Sequence, residues 1–318
     1  MLGQSALRFL LRRLLLAVPL LFVVSALSFA LVSFIPGDAA TEILGLSAPP
    51  SSYEKLRHTL GLNLPVYEQY WHWLKHAVRG DLGASLFTDQ KVTQMIDARL
   101  PVTLSLIGCS LLVSTLIGVG LGMLSALRGG VLGRVLDGAS MLGYATPSFW
   151  IGAVLIVLFA VKLRWLPAIG YVPLAQSPGL WLRSLTLPVV ALALHAVAVI
   201  AKQTRVAMLD VLGSEYIRML RASGISERSI NFRHALRNAA PVVVTVLGVE
   251  FVILLGGTVF VESVFALPGL GSLAVSTTIQ HDLPLVEGIV VYFTVIVVIV
   301  NLAIDLLYMW LNPRIRVR

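Results

Sequence analysis

An all-α membrane protein with about six transmembrane helices is the fold class that this sequence predicts. Its 318 residues are 57% hydrophobic and 13% charged, whereas about a quarter of the residues of a soluble domain are charged. The apolar residues are concentrated in long runs, and the mean hydropathy of +0.88 suits a chain with a lipid-facing surface. Basic residues collect in alternate segments between those runs. Together these observations indicate a chain that crosses a bilayer several times.

Six apolar runs are near the length of about 20 residues that a helix needs to cross the hydrocarbon core. Because lipid offers backbone groups no hydrogen-bond partners, each run is predicted to be a helix. The fourth run is short unless its flanks join it, and Pro147 and Pro188 fall inside the third and fourth runs. The first run is too long for a cleaved signal peptide and is expected to remain as a span. The six predicted runs are Leu14–Ile35, Val102–Leu127, Ser140–Val161, Leu185–Ala201, Val242–Val261 and Gly288–Leu311.

The distribution of charge predicts that both termini are cytoplasmic. With the N-terminus inside, 15 of the 24 Lys and Arg residues fall in inside segments and nine fall outside, as the positive-inside rule requires. Seven of the 15 lie between Lys202 and Arg237. The net charge of +8 is therefore expected to reflect membrane orientation, and no nucleic-acid partner is predicted.

The first long hydrophilic segment, residues 36–99, is predicted to be external and to contain two helices. A capping-box pattern begins at Ser51, and that helix should end near Leu60 with Gly61 after it. The second helix should end at Gly80, with one apolar and aromatic face formed by Val66, Tyr70, Trp73, Leu74 and Ala77. Such helices suit a membrane surface, either covering the outer rim of the bundle or docking an external partner.

The second long segment, residues 210–240, is predicted to be cytoplasmic and to form a helix, a glycine elbow and a second helix. A compact helical elbow can transmit force, whereas the simpler alternative is a basic loop that only satisfies the positive-inside rule. The pattern predicts an N-cap at Ser214, a helix from Glu215, a left-handed end at Gly224, a second cap at Ser226 and Pro241 in the first turn of the fifth span.

Two stretches of the elbow resemble a known motif. Glu215-Tyr-Ile-Arg-Met-Leu-Arg-Ala-Ser-Gly224 and the following His234-Ala-Leu-Arg-Asn238 are similar to the cytoplasmic coupling motif of ABC importer permeases. The version here resembles the first permease subunit of the dipeptide/oligopeptide family, whose members also carry nickel, glutathione or haem. Met219 and Leu220 stand where that family usually has small residues. Segments that resemble the family elsewhere, in order, start at Ile35-Pro36-Gly37-Asp38, Leu60-Gly61-Leu62, Gly80-Asp81-Leu82-Gly83, Thr146-Pro147-Ser148, Trp165-Leu166-Pro167, Leu185-Thr186-Leu187-Pro188, Val261-Glu262-Ser263 and Asn312-Pro313-Arg314.

The resemblance implies a type I importer permease fold and a function that depends on partners. It implies a second homologous permease subunit, two cytoplasmic ATPase subunits that hold ATP and Mg, an external substrate-binding protein and a peptide substrate. This chain has no Gly-Lys pair and hence no phosphate-binding loop of its own. The resemblance therefore implies a transporter subunit in the cytoplasmic membrane of a prokaryote, without cofactor or metal in this chain, and not an enzyme. The residues implied to dock on the ATPases are Glu215, Tyr216, Arg218, Arg221, Ala222, Gly224, Ile225 and His234.

The predicted organisation follows the spans. Residues 1–35 hold the N-terminal tail and first helix, residues 36–99 the external segment, residues 100–311 a five-helix core with the 210–240 loop, and residues 312–318 a cytoplasmic tail. The stretch from Ser263 to Glu287 is interpreted either as a partly re-entrant lip or as a plain connection.

Ionisable residues inside apolar runs are candidates for function. Glu262, Glu250 and Thr258 are predicted to line the translocation pathway, although a hydrogen bond between helices is the preferred interpretation for Glu250. A carboxylate such as Glu250 could also relay protons in a proton-coupled secondary transporter, the alternative to an ABC permease. No His/Cys/Asp cluster has metal-ligand spacing, so nickel ranks below peptides as a substrate.

Overall fold

The computed structural model describes residues 2–311 apart from 38, 46, 132, 134, 136–137, 140–142 and 144–145, with side chains from residue 12 onward. Within these residues the regular elements are helices, and an isolated antiparallel bridge joins Ala84 to Lys91. The helices are α1 (Leu2–Ser33), α2 (Ala39–Leu44), α3 (Pro50–Thr59), α4 (Val66–Ala77), α5 (Val92–Arg128), α6 (Ser148–Lys162), α7 (Pro178–Leu212), α8 (Glu215–Ala222), α9 (Glu227–Val264), α10 (Leu270–Gln280) and α11 (Leu283–Leu311).

Five described helices are long and apolar enough to cross a membrane, namely α1, α5, α7, α9 and α11. They confirm five of the six predicted spans. The third predicted run corresponds to the shorter apolar helix α6, whose last seven residues are π-helical, and much of residues 140–145 lies outside the described residues. Pro147 is the N-cap of α6 rather than an interior residue, which corrects the prediction. The terminal segment 312–318 also lies outside the described residues.

The membrane helices extend well beyond their apolar runs. α7 has 35 residues, so the flanks of the short fourth run do join the helix. Pro101, Pro188 and Pro241 all lie inside helices, in α5, α7 and α9 respectively. Neighbouring helices and local adjustment can satisfy the carbonyl groups that each proline leaves without an N–H partner. Hydropathy therefore finds the centre of each helix but not its ends.

The chain divides into two compact units, the first formed by residues 1–101 and 268–299 and the second by residues 102–267 and 300–318. In the second unit, α6, α7 and α9 pack against one another. A Cβ on Gly118 would come within 2.8 Å of Ile200 Cγ2, and one on Gly122 would come within 2.7 Å of Thr204 Cβ. These close approaches show that the two glycines let α5 and α7 pack tightly against each other.

In the first unit, the predicted helices of the external segment are present. Tyr70 of α4 packs its ring edge-on against Phe22 and Phe29 of α1 and shares a 2.9 Å hydrogen bond with the Ser25 hydroxyl. Gly61 has a left-handed φ of +70°, which confirms the predicted end of α3. The predicted capping box at Ser51 is wrong, because α3 begins at Pro50 and its N-cap, Pro49, has no side-chain cap.

The connection after residue 263 contains the helix α10, so the interpretation as a plain connection is wrong. Leu270 and Leu273 of α10 belong to a buried cluster with Val92, Ile96 and Leu285. Whether this segment forms a lip over a pathway stays a prediction.

Candidate functional site

The elbow begins where α7 ends. The helix stops at Leu212, Gly213 follows in an ordinary right-handed conformation, and α8 starts at Glu215 as predicted. Ser214 is the N-cap residue of α8 as predicted, but its hydroxyl donates a 2.7 Å hydrogen bond back to the Val211 carbonyl and accepts none from an N–H of α8. The hydroxyl thus ties the turn to the end of α7.

Gly224 ends α8 in the predicted left-handed conformation, with a φ of +76°. The Ile225 N–H donates to the Leu220 carbonyl at 3.2 Å, and the Gly224 N–H donates to the Arg221 carbonyl at 3.0 Å. These two bonds are those of a Schellman motif, which satisfies carbonyl groups at a helix end. A Cβ at Gly224 would meet no atom of the described residues within 4 Å. The position therefore requires glycine for its backbone conformation rather than for space.

The second arm of the elbow is continuous with a membrane helix. α9 starts at Glu227, passes through a π-helical segment at Ile230–Ala235 and runs on to Val264. The predicted place of Pro241 in a first turn is wrong, because the helix has already run for several turns when it reaches that residue. Ser226 is the N-cap residue of α9 as predicted, but its side chain makes no cap hydrogen bond. A displacement of this arm would act directly on the membrane-spanning part of α9.

Two side-chain contacts cross the elbow. The Tyr216 hydroxyl and His234 Nδ1 are 2.7 Å apart, and their rings are edge-on at 6.1 Å. In the second contact, Arg221 donates from Nε to Glu227 Oε1 at 2.7 Å and from Nη2 to Glu227 Oε2 at 3.4 Å. The hydrogen bond to Glu227 raises the pKa of the Arg221 guanidinium above its ordinary value. Each pair joins α8 to α9, so the two arms are held at a defined angle.

Most of the predicted docking residues are exposed together on this elbow. The exposed ones are Glu215, Tyr216, Arg218, Arg221, Ala222 and Gly224, whereas Ile225 and His234 are half-buried. Ile217 is fully buried and anchors α8 from beneath. The elbow therefore exposes most of its predicted docking side chains, while one buried side chain anchors it.

Sequence reasoning missed Phe232 on this surface and noted Met219 only as a departure from the family motif. Phe232 is 60% exposed and Met219 is 65% exposed, so two large apolar side chains accompany the polar ones. The polar neighbours of Phe232, Asn231 and Arg233, were the available signal that this aromatic residue lies outside an apolar run. Glu227 was also missed, because its role depends on the bend that brings it to Arg221. Exposed apolar side chains of this size are typical of surfaces that contact another protein.

The residues predicted to line a pathway are buried within the second unit. Glu262 accepts a 2.6 Å hydrogen bond from the Thr103 hydroxyl, and the Thr258 hydroxyl donates to the Leu255 carbonyl at 2.7 Å. Glu250 is 1% exposed, lies within electrostatic range of His195 and has one oxygen, Oε2, without a hydrogen-bond partner among the described residues. Their assignment to a pathway stays a prediction.

The fold and the elbow together define a membrane-embedded permease subunit of an ABC importer. The chain belongs to the family described as the binding-protein-dependent transport system inner membrane component, whose model matches residues 118–317, and a model for the N-terminal part of such components matches residues 6–107. It is thus a multi-pass inner-membrane transporter subunit rather than an enzyme, and ATP hydrolysis lies in separate subunits. The family implies ATPase and substrate-binding protein partners.

Similar proteins cover nearly the whole chain. A peptide transport system permease protein of Brucella abortus is 40% identical over 96% of this chain and 98% of its own length. The glutathione transport system permease protein GsiC of Escherichia coli is 38% identical over 98% of this chain and 99% of its own. Among solved structures, the inward-facing MetNI methionine ABC transporter matches with a TM-score of 0.58 at 19% identity, covering 69% of this chain and 97% of the matched one. The last likeness concerns the fold alone.

Proposed function

We propose that this chain is the first of two permease subunits in an ATP-driven importer of di- or oligopeptides. Similarity over almost the full length to peptide permeases of Brucella abortus and Sinorhizobium fredii supports the substrate class. Glutathione, itself a tripeptide derivative, is the second candidate, because GsiC is nearly as similar. Nickel and haem remain the substrates of lower rank.

The observation that carries the mechanism is the rigid elbow between α7 and α9. Two cytoplasmic ATPase subunits bind ATP and Mg, and one of them contacts the exposed surface formed by Tyr216, Arg221 and their neighbours. Because α9 continues into the membrane without a break, movement of the elbow moves the span. Closure of the ATPases would thereby switch the bundle between inward-open and outward-open states.

The orientation of the chain and its other partners follow from the contact between the elbow and the ATPases. The basic elbow and both termini face the cytoplasm, in agreement with the charge distribution. An external binding protein delivers the peptide, a second homologous permease completes the pathway, and Glu262, Glu250 and Thr258 contribute to its lining. If transport were instead coupled to protons, it would depend on Glu250 and not on nucleotide.

The test is a substitution of Gly224 in the complete transporter. Gly224→Val places a β-branched side chain at a φ of +76°, which strains the backbone by about 1–3 kcal/mol and distorts the elbow. We expect peptide uptake by cells to fall severely, while membrane insertion is retained. Uptake of labelled dipeptide and the amount of ATPase that co-purifies are the two measurements.

Gly213→Ala is the matched control, because Gly213 lies in the same elbow with a φ of −79° that alanine adopts freely. It should leave uptake near the wild-type level. Normal uptake by a well-expressed Gly224→Val protein would refute the coupling role, and uptake that survives ATP depletion would favour the proton-coupled alternative.

A further inference from the structure

The loop between α6 and α7 forms a pocket of about 540 Å³ with the first turns of α7. This end of α7 is the one away from the elbow, and a 35-residue helix separates the two by about 50 Å. The volume lies within the range that small-ligand pockets occupy. The side chains that give the pocket its chemistry are Arg164, Arg183, Trp165, Tyr171, Ile169 and Leu180.

Two arginines give this pocket a positive charge. Among the described residues that line it there is no carboxylate, and the sequence contains no Asp or Glu between Asp137 and Asp210. Arg183 donates from Nη2 to the Trp165 carbonyl at 3.1 Å, and a guanidinium has five N–H donors. Basic residues are depleted on the outer side of membrane proteins. With the orientation proposed above, this pocket lies on the outer side, and two arginines with no carboxylate in the lining suit an anionic ligand.

The loop that carries the first arginine is held in a defined conformation. Arg164 has a φ of +56°, which a residue with a side chain adopts only at a cost. The Trp165 N–H donates to the Phe159 carbonyl at 2.9 Å, and the Gly170 N–H donates to the Phe265 carbonyl at 3.3 Å. Backbone strain that the surrounding contacts sustain is characteristic of functional sites. The pocket is thus preorganised rather than a chance gap in a loose loop.

The apolar surroundings of the pocket fit a lipid. Val161 and Leu163 on one side, and Leu180 and Leu182 on the other, are between 45% and 61% exposed. Trp165 is 62% exposed, and Trp and Tyr side chains favour the level of the lipid headgroups. Arginine binds phosphate with its planar fork, and two such groups suit a phosphodiester. We propose that this pocket binds the phosphate of an anionic phospholipid, with the acyl chains along the exposed apolar side chains.

The test measures lipid binding to the intact transporter, purified with its partner subunits in detergent. Native mass spectrometry would count bound phosphatidylglycerol, and thermal stabilisation by the same lipid would give its apparent affinity. Arg164→Gln should weaken phosphatidylglycerol binding about tenfold or more, the usual consequence of losing a hydrogen bond between charged groups. Phosphatidylcholine, which carries a phosphate but no net charge, should bind more weakly to the wild type.

Lys162→Gln is the matched control: it removes one positive charge two residues away, from a side chain outside the pocket lining. It should retain phosphatidylglycerol like the wild type. Arg183→Lys keeps the charge and should show an intermediate loss. Equal lipid binding by wild type and Arg164→Gln would overturn the proposal. Stabilisation by inorganic phosphate alone that equals stabilisation by phosphatidylglycerol would also overturn it, because the ligand would then be a free anion. A third contrary result would be an Arg164→Gln variant that loses peptide uptake but binds lipid normally, which would assign the pocket to the substrate.

Discussion

Asp282 shows how a single buried residue connects distant parts of the chain. Its carboxylate is 1% exposed and accepts hydrogen bonds from the Ser85 hydroxyl at 2.5 Å and from the Leu86 N–H at 3.3 Å. The same hydroxyl accepts from the N–H groups of Phe87 and Thr88. Asp282 therefore fixes the loop after Gly83 to the start of α11 within the first unit. Burial raises the pKa of this carboxyl above its ordinary value, despite the hydrogen bonds that favour the charged form.

This shift predicts a stability that depends on pH. Because the folded protein binds the Asp282 proton more tightly than the unfolded chain does, the associated stability is fully present below the unfolded pKa, about 3.9. It is lost as the pH rises through the raised folded pKa. We expect the melting temperature of the wild type, relative to that of Asp282→Asn, to fall as the pH is raised from about 4 to 8. Glu54→Gln, at an exposed acid of the same unit, should show no such trend, and a difference between wild type and Asp282→Asn that is constant with pH would contradict the assignment.

The residues of the elbow differ in how far the sequence could predict them. Gly224 was predictable, since a glycine after a short amphipathic helix is the usual left-handed terminator. The N-cap positions of Ser214 and Ser226 were predictable too, but their hydrogen bonds were not, because a serine hydroxyl can bond to a preceding carbonyl as readily as to a following N–H. The ion pair between Arg221 and Glu227 depends on the chain reversal at the glycine. Sequence spacing alone does not fix that geometry.

At the scale of the helix, hydropathy predicted existence but not extent. The run Val242–Val261 is only the lipid-spanning centre of α9, which begins at Glu227. A helix that leaves the hydrocarbon can continue with its own backbone hydrogen bonds, so polar residues do not end it. Prolines inside the membrane helices gave no boundary either, because neighbouring helices and local adjustment satisfy the carbonyl that each one leaves without an N–H partner. Pro241 is accommodated inside α9, downstream of a π-helical segment that changes the hydrogen-bond register.

Helix packing gives a prediction at this scale. Gly122→Ala would place a methyl group 2.7 Å from Thr204 Cβ and even closer to the Ala201 carbonyl oxygen, which forces α5 and α7 apart. We expect a loss of roughly 1–3 kcal/mol in stability, the cost of overpacking, measured as a lower melting temperature in detergent. Gly120→Ala is the control in the same helix, since its methyl group would meet no atom of the described residues within 4 Å. Equal effects of the two substitutions would show that backbone flexibility, not contact, determines stability here.

At the scale of the molecule, transport requires that work done at one membrane surface reaches the membrane interior. α7 and α9 enter the elbow from the bilayer, and α8 lies between them with Ile217 fully buried. The start of α9 is also packed from within: Ala235 and Ala239 form a buried cluster with Met208 of α7 and Met123 of α5. A rigid elbow on a continuous helix transmits displacement, whereas a flexible one would absorb it.

The two contacts that cross the elbow should therefore determine coupling efficiency. Tyr216→Phe keeps the ring against His234 but removes the 2.7 Å hydrogen bond, and Glu227→Gln removes the charge that pairs with Arg221. In proteoliposomes containing the whole transporter, we expect more ATP hydrolysed per peptide imported. For Tyr216→Phe the change should be about two- to tenfold, the equivalent of one hydrogen bond. Because both contacts join α8 to α9, the double variant should lose more coupling efficiency than the sum of the two single effects.

The salt dependence of these variants separates the two contacts. The Arg221–Glu227 pair is partly exposed, so about 1 M salt should screen it and make the wild type resemble Glu227→Gln. The Tyr216–His234 hydrogen bond involves no fixed charge pair and should respond far less. Ser223→Ala, which loses only a hydrogen bond to Met219 within α8, should leave coupling unchanged. Tyr216→Phe, Glu227→Gln and the double variant could all import peptide with the wild-type ratio of ATP hydrolysed to peptide imported. In that case the elbow does not transmit force through its internal contacts, and the continuous α9 helix would have to carry the displacement unaided.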